Sequence, residues 1–296
     1  GCLVQRYKER LYQQLPEVDL FLGTGEFNNI KEFIEQRSQK VQKVSSSSFL
    51  YHHDTPRLNS MPPYTAYLKI AEGCSRKCSF CLIPSLRGPM HSRMIDDILL
   101  ESENLINSGV KELNLISQDL SSYGQDLKPR VNLEELLREM RCLDIPWIRL
   151  LYNYHTAISE SFLEVIRDSS NLVKYLDIPL QHVSDPILRS MKRGTDKKSI
   201  SLLLEKIERI IPQAVLRTAL ITGYPGESEE DFQQLADLIE QQVFDHLVVF
   251  PYSNEEGSES AQLDQQIDPA EIEDRYHYLM ELQQQVSMKK NLSRVG

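Results

Sequence analysis

The stretch AEGCSRKCSFCLIPSLRGP, Ala71 to Pro89, holds Cys74, Cys78 and Cys81, three of the chain's five cysteines. Their spacing matches neither a helix face nor a strand face, so they do not read as core thiols. A secreted disulfide framework would be shorter, richer in cysteine and paired. Crowded thiols point instead to metal or redox chemistry. Structural zinc takes four ligands. Here three thiols share one loop, and the next histidine, His91, lies ten residues past Cys81. A zinc site of three Cys and one His therefore needs the loop to fold back. A 4Fe-4S cluster is also thiolate-bound, usually by four cysteines. Three would leave one iron open, which suits a cluster that takes part in chemistry.

Outward from this loop the chain alternates. Apolar patterning predicts strands at Tyr67–Ala71, Lys111–Ser117, Trp147–Leu151, Tyr175–Leu180, Val215–Thr222 and His246–Phe250. Helices are expected at Met94–Asn107, Asn132–Cys142, Ser159–Ser169, Asp185–Lys192, Ser199–Ile211 and Ser228–Gln242, with a long polar helix from Pro269 to about Lys290. Six strand–helix units imply a parallel α/β sheet, and six are fewer than the eight of a closed barrel. An open barrel or a doubly wound sheet remains. In either, ligands sit at the carboxyl ends of the strands, and the cysteines follow the first strand.

Upstream, short helices at Arg6–Leu15 and Ile30–Ser38 flank a strand at Val18–Leu22, as at the end of a small α/β domain. Four consecutive serines and three prolines make 41–63 a linker by composition. The expected division is therefore 1–40, the remnant of an amino-terminal domain; 41–63, linker; 64–255, barrel; and 256–296, a helical extension. A start without Met, on Gly1-Cys2, reads as a piece of a longer chain. The net charge of −10 argues against gripping nucleic-acid backbone as the main task. No apolar run is long enough to span a bilayer and no signal peptide is visible, so a cytoplasmic location without membrane partners is expected.

The C-x3-C-x2-C spacing on the first βα loop resembles that of the radical S-adenosylmethionine enzymes. The blocks LKIAEGCSRKCSFCLIPSLRGPMHSR, SQDLSSYGQDL, YLDIPLQHVSDPILRSMKRG, LRTALITGYPGESEEDF and YSNEEGSESAQLDQQ narrow this to the methylthiotransferases. Among these the chain is most similar to the RimO-type enzymes, which modify an aspartate of a small-subunit ribosomal protein. The resemblance covers essentially the whole chain. It implies a partial (β/α)6 barrel in which Cys74, Cys78 and Cys81 hold three irons of a 4Fe-4S cluster. The fourth iron would be chelated by S-adenosylmethionine, which the reduced cluster cleaves to a 5′-deoxyadenosyl radical. It further implies a second 4Fe-4S cluster, for which this chain contains only Cys2. An electron donor such as flavodoxin, and a methylthio group delivered to the aspartate β-carbon, complete what the resemblance implies. The family's carboxy-terminal β-domain has no counterpart, so truncation at both ends is expected.

Ser117 and Gln118 end the second strand, where such enzymes meet the cosubstrate. Gln181 ends a strand and is expected to line the site; for His182 no role is assigned. Gly223, Pro225 and Gly226 follow another strand, and the glycines would let a ligand approach the backbone. Arg217, within that strand, is a candidate for a carboxylate, with a structural ion pair equally open. Arg76, Lys77, Arg87 and Arg93 give the cysteine loop a basic cast. Cys142 reads as a buried structural thiol, and Glu227 to Asp231 as a favourable helix start. Two other functions stay in view: a methylthiotransferase acting on a tRNA adenosine, and a zinc-stabilised binding module.

Overall fold

A computed structural model describes residues 1–35, 40–46, 49–293 and 295. Its centre is one six-stranded sheet, all parallel, formed by β3 (Thr65–Lys69), β6 (Glu112–Ile116), β7 (Trp147–Leu150), β8 (Leu172–Asp177), β9 (Val215–Thr222) and β10 (His246–Pro251). The order β10-β9-β8-β7-β6-β3 follows the chain, and β3 and β10 are free edges, so the sheet is an open, partial barrel as expected. The helices α4 (Ile95–Asn107), α5 (Leu133–Met140), α6 (Glu160–Asp168), α8 (Lys197–Ile210) and α9 (Glu229–Glu240) connect successive strands, and α7 (Asp185–Ser190) precedes α8. α10 (Pro269–Leu292) packs on α9 and β10.

Alternation within the strands explains the layers. Ala66 and Leu68 of β3, Leu113 and Leu115 of β6, and Ile148 and Leu150 of β7 are buried in the core shared with the helices. Residues that alternate with them, such as Tyr67, Glu112 and Arg149, are less buried and belong to the opposite face. Polar residues start the helices as the sequence suggests. Asn132 Oδ1 accepts from the backbone N–H of Glu135 at 2.9 Å, and Ser228 and Asp231 form a reciprocal capping box.

Before the sheet lie α1 (Cys2–Gln14), kinked at Lys8, β1 (Leu20–Leu22), α2 (Ile30–Glu35) and β2 (Val41–Lys43). Expected helical residues 36–38 lie outside the described residues. β2 pairs in parallel with β1, so the stretch read as a linker opens with a strand. Of its serine run, residues 47–48 are also outside the described residues. Farther on it is tied to α4: Arg57 pairs with Glu101 at 2.6 Å, and His53 Nδ1 contacts Asp97 at 2.8 Å. Both partners lie 44 positions along the chain.

This amino-terminal unit reaches both edges of the sheet. Arg6 Nη1 pairs with Glu255, just past β10, at 2.6 Å. Thr24 Oγ1 donates to the carbonyl of Leu86, in the helix α3 (Ile83–Arg87) that follows the cysteines, at 2.8 Å.

Candidate active site

The cysteine loop is pinched at its base by a two-residue antiparallel pair, β4 (Ala71–Glu72) with β5 (His91–Ser92). Gly73 sits there at φ +79, and a Cβ would collide with the Pro89 carbonyl oxygen, so glycine is required. Ser79 anchors the loop to distant elements: its N–H donates to Met191 O, and its hydroxyl contacts Ser190 O and Tyr224 Oη at 2.8 and 2.9 Å.

All five cysteines are free thiols. Cys74, Cys78 and Cys81 open on one cavity of about 160 Å³ at the carboxyl ends of the strands. Each sulfur meets an N–H donor: Cys74 that of the Arg76 backbone at 3.5 Å, Cys81 that of Ile83 at 3.4 Å, and Cys78 the Arg193 guanidinium at 3.3 Å. Burial raises the pKa of Cys74 and Cys81 above the ordinary thiol value. A lone zinc ion would hold its sulfurs at about 2.3 Å, hence roughly 4 Å from one another. Among the described residues no three or more His, Cys, Asp or Glu side chains converge closely enough to share a single ion. The three thiols instead ring a cavity.

Two sequence-predicted residues share that cavity. Gln118 donates from Nε2 to Glu72 Oε1 at 3.2 Å, while its Oε1 is buried without a partner among the described residues. Gln181 lines it with φ +76, a strained value for a residue with a side chain. Its backbone is clamped from both sides, donating to Ala219 O at 2.9 Å and accepting from Ile221 N–H at 2.7 Å. Ser117, its hydroxyl also unpartnered, lines an adjoining cavity of about 530 Å³ with Gln118, Lys69 and Tyr152.

Other residues singled out from the sequence sit elsewhere or are paired within the chain. Gly223 has φ +77, but what approaches it is Ile272 of α10, 2.5 Å from where a Cβ would stand; Gly226 faces Gln265 in the same way, and Pro225 is buried beside them. None of the three lines the thiol cavity. Arg217 pairs with Asp177 at 2.7 Å, the structural alternative, and lies outside that cavity too. Three of the four basic residues are paired, Arg76 with Asp119, Arg87 with Glu72, and Arg93 with Asp97 and Glu101, while Lys77 is exposed. Cys142 is exposed, in the turn after α5. Glu227 is not part of a solvated helix start but is buried, bonded to His182 and Arg275; only the acidic residues after it lie on α9. Half-buried Cys2 opens α1, which packs on α3 beside the cysteine loop.

The sequence reading passed over Asn153, Tyr154, His155 and Arg193. Asn153 and Tyr154 line the cavity, and Asn153 Oδ1 is buried without a partner. They follow the strand β7, so the strand-end rule used for Ser117 and Gln181 could have found them. The Tyr154 ring is sandwiched between the guanidinium groups of Arg76 and Arg193, 3.9 and 4.3 Å from its centroid. His155 is kept neutral, its pKa lowered to about 3 by burial and then by Arg193.

The sequence pattern of the Radical SAM superfamily matches residues 68–239. The ribosomal protein uS12 methylthiotransferase RimO of Geotalea uraniireducens is 50% identical over 299 residues, covering 100% of this chain and 67% of that protein. The protein of the same description from Pelobacter propionicus is 46% identical, again over 100% and 67%. The chain thus spans about two thirds of the length of these relatives. In fold it is similar to coproporphyrinogen III oxidase (HemN) from Escherichia coli, with a TM-score of 0.55 at 20% identity over 77% of this chain and 54% of that one.

Proposed function

The chain belongs to the radical SAM superfamily and, within it, to the ribosomal protein uS12 methylthiotransferase family, and from that membership we propose its reaction. It adds a methylthio group to the β-carbon of an aspartate in that small-subunit ribosomal protein. Superfamily membership implies a 4Fe-4S cluster and S-adenosylmethionine. The observation that carries the reading is three thiols on one cavity whose wall also holds two buried, unpartnered acceptors, Gln118 Oε1 and Asn153 Oδ1. This donor set fits: thiols for iron, and carbonyl oxygens for a ligand bearing N–H groups.

Cys74, Cys78 and Cys81 would hold the cluster. When bound, cluster and cosubstrate supply one-electron chemistry able to take hydrogen from an unactivated carbon. The chain's own part is to bind, orient and exclude. The N–H donors at the three sulfurs offer each of them a hydrogen bond and fix the sulfur positions. Gln118, held by Glu72, lines the cavity, and Gln181 is locked by its two backbone bonds. Phe80 and Tyr154 keep water from the reacting carbon. No proton has to be taken from that carbon by a side chain, so no general base is required.

Further parts of the proposal concern the rest of the protein. Cys2 serves a second 4Fe-4S cluster, supported by the packing of its helix on α3. The division into 1–40, 64–255 and 256–296, an electron donor of the flavodoxin class, and a cytoplasmic location belong to the same reading. Among the described residues no helix is long and apolar enough to cross a membrane. A tRNA substrate is disfavoured because Arg76, Arg87 and Arg93 each spend their charge on a carboxylate of the chain. The test is anaerobic reconstitution with iron and sulfide, then incubation with S-adenosylmethionine, dithionite and either the ribosomal protein or tRNA. One methylthio group on one aspartate, found by mass spectrometry, is the expected result. Modified tRNA with unmodified protein, or zinc without sulfide in the isolated protein, overturns it.

A further inference from the structure

Arg193 is 4% exposed, and among the described residues it makes no ion pair with a carboxylate. Its Nη1 donates to Cys78 Sγ at 3.3 Å and its Nη2 to Pro179 O at 2.5 Å, with His155 Nδ1 at 3.5 Å; its Nε has no partner. One face lies over the Tyr154 ring. These neighbours are a thiol, a carbonyl, an imidazole and a phenol, none of which supplies a full negative charge. A buried cation without a counter-charge is strongly unfavourable. The other arginines around the loop are each matched by a carboxylate. Among the described residues Arg193 is therefore the buried arginine at the thiols that no carboxylate matches, and it is aimed at a sulfur.

We propose that Arg193 is the counter-charge of the iron–sulfur cluster and favours its reduced state by holding a permanent positive charge against Cys78 Sγ. The inference rests on the reading that Cys74, Cys78 and Cys81 hold such a cluster. Uptake of one electron from a low-potential donor adds one negative charge there. No bond of the chain breaks, and Arg193 keeps its proton throughout. A unit charge several ångströms away, in a medium of effective dielectric about 20, shifts that equilibrium by about tenfold or more. The planar fork also explains why arginine stands here: it serves the sulfur and the Pro179 carbonyl together while stacking on Tyr154.

The test compares the parent with Arg193→Gln, which keeps an N–H donor and drops the charge, and Arg193→Lys, which keeps the charge. Each is reconstituted, assayed for iron and sulfide, and titrated with dithionite against redox dyes while the reduced cluster is followed by electron paramagnetic resonance. At a fixed solution potential the ratio of reduced to oxidised cluster should fall about tenfold in Arg193→Gln and stay within about threefold of the parent in Arg193→Lys. An unchanged ratio in Arg193→Gln overturns the inference, as does an equal fall in both variants. Should Arg193→Gln take up no cluster, Arg193→Lys decides: a ratio near the parent's supports the inference, and a tenfold fall ends it. A parent without iron and sulfide overturns the cluster reading itself, which the metal assay tells apart from any effect of Arg193.

Discussion

Glu227 and Arg275 meet 2.7 Å apart in the interior, joining the loop after β9 to α10. Glu227 also accepts from Thr222 Oγ1 at 3.1 Å and the Gly223 N–H at 3.0 Å, and it contacts His182 Nε2 at 3.2 Å. Since His182 Nδ1 accepts from the Ser184 N–H, its Nε2 carries the proton and donates to Glu227. Removing one partner of such a buried pair strands the other, at a cost of about 3–5 kcal/mol. Arg275→Met should lower stability by that amount in urea unfolding. A loss below about 1 kcal/mol would show that the pair is not buried as described.

The same carboxylate sets a pH dependence. Burial alone would raise the Glu227 pKa, but hydrogen bonds and charge from His182, Gly223 and Arg275 outweigh it, and the group is held below its ordinary 4.5. The folded state therefore binds its proton later than the unfolded chain. Its contribution is complete above about pH 4.5 and is lost as pH falls through the lower folded value. In urea unfolding across pH 3 to 7, the gap between parent and Glu227→Gln should be flat above roughly 5 and shrink below it. A gap that widens with acid contradicts this.

Gln181 separates stability from activity. Its φ of +76 suits glycine, so Gln181→Gly should change stability by between zero and a gain of about 1 kcal/mol. The cavity loses a wall residue, however, and cleavage of S-adenosylmethionine should fall at least about tenfold. A loss of more than about 2 kcal/mol, or unchanged cleavage, would refute the placement.

Gly223 makes the opposite case. An alanine there combines a left-handed backbone with a Cβ 2.5 Å from Ile272 Cγ1, so Gly223→Ala should cost about 2–4 kcal/mol. Ile272→Ala removes the two nearest atoms, and the double variant should lose less than the sum of the single losses. Strict additivity in thermal unfolding would mean that the two residues do not touch.

In the metal-free protein the thiols should differ sharply. Cys142 is exposed and should react with iodoacetamide first, while Cys74 and Cys81, pushed above the ordinary thiol pKa by burial, should react several-fold more slowly. Iron must displace their protons, so cluster uptake should improve as pH rises from about 7 to 9. Cys78→Ala should abolish cleavage of S-adenosylmethionine, and Cys142→Ser should leave iron content and cleavage unchanged. Uniform alkylation of all five thiols would contradict the burial.

The six strand–helix alternations and the thiol spacing were legible because both are local: a two-residue or 3.6-residue period needs no knowledge of partners. Charge was not. Arg76, Arg87 and Arg93 read as a basic loop because a sequence displays the cation and hides the carboxylate; Asp119 is 43 positions from Arg76. Arg193 is 115 positions from Cys78, and nothing near it in the chain marks it. Glu227 resembled the first of a helix's acidic residues although it lies outside that helix, and its ion-pair partner is 48 positions away. At Gly223 the element that comes close is the chain's own α10.

Arg6 finds Glu255 across 249 positions, while Thr24 reaches back from the same unit to Leu86. During synthesis Arg6 emerges long before Glu255, so their contact cannot form until nearly the whole sheet has left the ribosome. The gap between the sheet's first and last strands is therefore bridged late, and loop closure over so long a span is entropically slow. Assembly ends at the rim beside the thiols, the last part of the barrel to be drawn together.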